Sequence, residues 1–304
     1  MFLSSFRTTR FLLLPGVLLT LSGCMISPLA TRTAAFSTAA TATAAQTTSA
    51  YQLVNQAYYD AQLAMLAANY DPATFKPNLI APYLPEKDLA VRTAVLNGLT
   101  QYATLLAEVS GNQPVTDMET QIKASGAALV KLQQDDFKAF KISPTEQHIA
   151  VTAVTALGNV LIERDRARAL PGILDKMDQP IHDICTILQS DIGTVDKPGL
   201  ANALHLEYDK QIAYEQRFIE QNGASMSADE KRAEIETLPK LVVAQQQADK
   251  TLAATAKSLG ELAAAHAALT QTKSQKDAPA FKLKLAELEQ DAQTINGFYQ
   301  TSSK

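Results

Sequence analysis

Tryptophan is absent from this chain, histidine occurs four times and cysteine twice, and glycine and proline supply only 12 and 13 of its 304 residues. Each shortage closes off a class of protein. Two cysteines cannot build a disulfide framework. So few turn-forming residues argue against a many-turned β architecture, and the abundance of Ala, the strongest helix former, favours helix. Without Trp the usual stacking platform of a carbohydrate site is missing, although nine tyrosines remain. No basic run and no aromatic-interleaved Lys/Arg patch occurs, so nucleic acid is not an expected partner. The histidines are His148, His182, His205 and His266, and none has Glu three residues before it. With no His-Glu-x-x-His and no Cys-x-x-Cys either, neither a preformed metal site nor a cofactor is expected.

What is present begins at the N-terminus. Arg7 and Arg10 precede the short apolar stretch Phe11–Leu14 and Val17–Leu21, broken by Pro15-Gly16 and followed by Leu21-Ser22-Gly23-Cys24. A positive start, a short apolar run and a small-residue cleavage site make a secretory signal. The run is too short for a spanning helix, which needs ~20 apolar residues. Leu21–Cys24 resembles the lipobox of bacterial lipoproteins. That resemblance implies thioether lipidation of Cys24, cleavage before it, acylation of the new amine (palmitate being the usual chain) and anchorage in the cell envelope. Met25 stands where many inner-membrane lipoproteins carry Asp, which implies the periplasmic face of the outer membrane. Several chains are needed because each buried CH₂ gives only ~0.8 kcal/mol and one chain binds marginally. Loss of residues 1–23 removes Arg7 and Arg10 and takes the formal charge from −4 to −6. Attraction to anionic lipid is then disfavoured, and the acyl chains must anchor alone.

Residues 25–47 are Ala-, Thr- and Ser-rich without a clear period, and read as a flexible tether. Helical periodicity follows over 49–69 and 86–110, with a Pro-rich, apolar-containing strap at 71–85 between them. Capping boxes at Thr116–Glu119, Ser143–Glu146 and Ser227–Glu230 open three further helices, the first running to about Phe140. Helices are also expected over 173–192, with a kink at Pro180, over 199–222, and over 279–296. The longest pattern, to about Thr272, carries an apolar seam alternating three and four residues apart from Leu238 to Leu269. The expected fold is all-α: an elongated antiparallel helical bundle over 48–223 with a long coiled-coil-like helical hairpin over 224–304, behind a signal at 1–23 and a lipidated tether at 24–47.

Four sets of side chains are candidates for function. His182 and Cys185 lie three apart on a helix, where an imidazolium could activate a thiol for redox chemistry or an intermolecular disulfide. The plainer reading buries Cys185 in a stripe with Ile181, Ile184 and Leu188. Gln245, Thr255 and His266 interrupt the seam and would fix its register. Tyr70, Tyr83 and Tyr102 flank the strap and would line a ligand pocket. Glu163–Arg168 is a dense charge cluster, read as a solvated helix face with local pairs. No Ser/His/Asp order, nucleotide loop or paired-carboxylate motif is placed, so no enzyme activity is expected. No apolar segment after residue 24 is continuous enough for a pore-forming protein. The expected function is that of a membrane-anchored envelope lipoprotein whose hairpin engages a protein partner. The alternative is a small-molecule or peptide-binding lipoprotein with its pocket near 71–85.

Overall fold

The structure is a computed structural model describing residues 27–71, 80–111, 119–140, 142–163 and 170–302. Among them are eight helices and no strand: α1 (Pro28–Ala68), α2 (Glu86–Gly111), α3 (Glu119–Val130), α4 (Pro144–Ile162), α5 (Leu170–Ile192), α6 (Leu200–Asn222), α7 (Ala228–Gln271) and α8 (Pro279–Ser302). A 3₁₀ turn at Gln134–Phe137 joins α3 to α4. The all-α expectation holds. Cys24, the Thr116–Met118 part of its capping box, strap residues 72–79 and Arg164–Arg168 of the charge cluster lie outside the described residues.

Residues 28–47 are not a tether. They are the first half of α1, a 41-residue helix capped by the Ser27 hydroxyl, which accepts from the Ala30 amide at 3.1 Å. Alanine costs least to hold in a helix. The interspersed threonines satisfy their hydroxyls on their own helix, as Thr47 does by donating to the Thr43 carbonyl at 2.8 Å. The buried face is Phe36, Ala40, Thr43, Thr47, Ala50, Tyr51 and Val54. Small side chains there let neighbouring helices approach closely. The segment shows little hydropathy contrast because this face is distinguished by size rather than by polarity.

Helices α1 and α7 are antiparallel spines. At one end Arg32 donates to the carbonyls of Thr272 (2.8 Å) and Gln275 (2.9 Å), joining the start of α1 to the end of α7. At the other, Arg217 of α6 donates to the Asn69 side chain at 3.2 Å, just past the end of α1. α7 and α8 form an antiparallel pair, bridged where Lys257 donates to both Asp291 oxygens at 2.9 Å. They are not a unit apart from the bundle, because Leu252, Leu259, Leu262 and Leu269 of α7 belong to one core with Leu96, Leu157 and Leu188. What projects instead is the turn between α6 and α7. From Tyr208 to Ala244 no residue is fully buried. α6 packs along α1, whose C-terminal half buries Ala57, Ala61, Ala64 and Ala68.

Local signals set the element boundaries. Ser143 and Ser227 each close the expected capping box, with Glu146 and Glu230 accepting from the Ser amides at 2.7 and 2.8 Å. α3 stops at Val130 instead of Phe140, because Gln133 and Asp136 form a separate box that starts the 3₁₀ turn. Where α3 crosses α4, a Cβ on Gly126 would lie 2.7 Å from the Gly158 carbonyl, and one on Gly158 2.8 Å from the Gly126 carbonyl. The two backbones therefore touch directly.

Candidate functional site

The predicted residues fall in three places. Cys185 is fully buried, and burial pushes its thiol up to about 12. His182 is exposed on the surface of α5. The two do not form a reactive pair, since a buried neutral thiol is inert and inaccessible to a second chain. The plainer reading is the one the structure gives. Nor do the three tyrosines converge. Tyr70 is 62% exposed at the end of α1, Tyr83 packs on Tyr58 at 5.7 Å, and Tyr102 is deep in the core. The described end of the strap is clamped instead: Asn55 accepts from the Leu84 amide at 2.7 Å and donates to its carbonyl at 3.2 Å.

The polar seam positions are buried, and two of them bond to other helices of the bundle. Gln245 donates to Asp209 at 2.7 Å and to the His205 carbonyl at 3.1 Å, both on α6. Thr255 donates to Thr251 one turn back. His266 carries the most chemistry. Its Nδ1 lies 3.2 Å from Asp178 Oδ1 and its Nε2 2.8 Å from Tyr102 Oη. A carboxylate can only accept, so Nδ1–H donates to Asp178, while Nε2 and the Tyr102 hydroxyl share the second bond. Phe36 meets the ring edge-on at 5.6 Å. The His266 bond holds the Asp178 carboxyl below its ordinary range, while burial and then the Asp178 charge push the Tyr102 phenol well above its own.

This chain of bonds surfaces at one point, the half-exposed Asp178. There α5 and α7 bound a groove of about 350 Å³, walled by Asp178, His182, Thr186 and Gln189 and floored by Gly260 and Ala263. Thr186 and Gln189 also line an adjoining recess of about 440 Å³ that runs to Thr194 and Lys197. Gln189 donates to the Ala256 carbonyl at 2.8 Å, and a Cβ on residue 260 would lie 2.6 Å from its amide nitrogen. Glycine at that position makes room for the Gln189 amide, which lies directly over it.

A second polar centre escaped sequence reasoning. Arg92 and Asp191 are fully buried and joined by two parallel bonds, Nε to Oδ2 at 2.8 Å and Nη2 to Oδ1 at 2.7 Å. The guanidinium stacks 4.2 Å above the Phe140 ring and donates to the Ala139 carbonyl at 3.0 Å. Burial opposes its charge, but the Asp191 bond and charge outweigh that and raise its pKa. The available signal was spacing. Arg92 falls three before Val95 and four before Leu96, and Asp191 three after Leu188, so both charges stand on apolar stripes.

Among the described residues no group of three or more His, Cys, Asp or Glu side chains could hold a metal ion, and no helix is long and apolar enough to cross a membrane. The arm carries exposed apolar side chains: Ile235, Val242 and Val243 on α7. Compared with known proteins, the chain matches no family model, no curated protein and no solved structure.

Proposed function

We propose that the protein is a membrane-anchored envelope lipoprotein acting as a non-enzymatic helical interaction module, its α6–α7 arm offered to a protein partner. The carrying observation is the arm itself. Ile235 and Val243 are each 51% exposed on a segment with no fully buried residue, and Ile235 and Val242 share a face at a spacing of seven. Exposed apolar side chains grouped on one projecting element mark contact surfaces more often than scattered ones do. The anchor in this reading is Cys24, only four residues before Pro28, so the chain between them reaches at most ~14 Å. Helix α1 then carries the arm ~60 Å farther, at 1.5 Å per residue over its 41 residues. Lipid is one partner, and the protein that meets the arm is the other. Photoreactive residues at Ile235 and Val243 in intact cells test this, with Leu283 on the outer face of α8 as the control position. A discrete adduct from the arm positions alone is expected. The same adducts from Leu283, or none from the arm, would refute the proposal.

A further inference from the structure

The groove between α5 and α7 has the makings of a ligand site independent of the arm. A carboxylate stands at one end, supported from behind by a fully buried imidazole and phenol, and only its Oδ1 is engaged by His266. Oδ2 faces outward. Such backing fixes a carboxylate's orientation and keeps it ionised, which a merely solvated surface Asp does not need. One turn along α5 is His182, then come Thr186 and Gln189, whose amide nitrogen is occupied by Ala256 so that its carbonyl oxygen remains to accept. Ala263, Ala264 and Ala267 of α7 line the groove with small side chains. At the far end stands exposed Lys197. From Asp178 to Ser190 the helix rises ~18 Å, about the length of five or six extended residues.

We infer that this groove binds a short extended peptide with free ends, its amino terminus seated on Asp178 and its carboxylate directed to Lys197. A negative and a positive group at opposite ends, with side-chain donors and acceptors between them, match the polarity of a peptide. They do not match a polyamine, whose second ammonium would meet Lys197. The groups around Asp178 are His266 of α7, His182 of its own helix, and Lys273 beyond the end of α7, which is bonded to Asp175. Protonation of Asp178 at low pH removes the charge that holds the ammonium, so affinity falls with pH.

Calorimetric titration of the full-length protein tests this with four probes: hexa-alanine with free ends, its N-acetylated form, its C-terminally amidated form, and spermine. Free hexa-alanine is expected to bind, N-acetylation to weaken it by about tenfold or more, and amidation to weaken it by a lesser factor. Asp178→Asn should erase the difference between free and acetylated peptide. Should that variant unfold, Lys197→Ala on the exposed loop should erase the difference between free and amidated peptide. Equal binding of free and acetylated peptides, spermine binding as tightly as the peptide, or no heat from any probe would overturn the assignment.

Discussion

Breaking the Arg92–Asp191 pair on one side leaves an uncompensated charge in the core. Both side chains have zero exposure, so neither can turn to water without opening α2 from α5. Arg92→Met or Asp191→Leu alone should each cost ~3–5 kcal/mol, the range for orphaning one member of a buried pair. Against a typical total stability of ~5–15 kcal/mol, either change approaches the limit of folding. The double variant should recover most of the loss, because two apolar side chains replace two desolvated charges. A residual deficit of ~1 kcal/mol is expected where the Ala139 carbonyl loses its donor. Urea unfolding followed by circular dichroism, with the slope checked for constancy, gives all four corners of the cycle. Additive losses in the double variant, or a cost below ~1 kcal/mol for either single change, would refute the claim that the two charges depend on each other.

Four further outcomes follow from the packing. Gly158→Ala should destabilise by ~1–3 kcal/mol, since its new methyl meets the Gly126 carbonyl and Val130, while Ala at open Gly172 should cost little; thermal melts compare them. Cys185 should resist a thiol reagent in the folded protein at pH 8 and react on unfolding. Because its thiol is raised from 9.0 to about 12, the stability tied to its protonated state is intact below pH 9 and is lost as pH climbs from 9 toward 12; alkaline melts of wild type and Cys185→Ala should diverge there. Amides of 209–243 should exchange with deuterium well before those of α5, because half-buried residues alone hold the arm together.

The helices that sequence located well are those with strong apolar periodicity or a polar cap. α2, α5, α6 and α7 lie within a few residues of expectation, and Ser143 and Ser227 sit where a capping Ser must. The first half of α1 is not legible because Ala30, Ala40 and Thr47 pack by smallness, which a hydropathy pattern does not register, whereas the expected helix over 49–69 is its second half. A separate α7–α8 hairpin is expected from the seam because a seam shows that a face is buried without naming its partner. His266 illustrates this: it stands out as a polar residue on the seam, yet its partners Tyr102 and Asp178 lie 164 and 88 residues away. The groove was illegible for the same reason. Asp178, Gln189 and Gly260 acquire meaning only once α5 lies against α7.

The central claim, that an N-terminal anchor holds the arm away from the bilayer, can be measured as a height. The lipidated protein would be reconstituted in vesicles with an acceptor dye at the membrane surface, and a donor placed in turn at Ser225 in the α6–α7 turn and at Lys276 near the start of α1. With the arm ~60 Å from the anchor, transfer should be strong from Lys276 and nearly absent from Ser225. Equal transfer from both would mean the molecule lies along the membrane, and the account of the arm would be wrong.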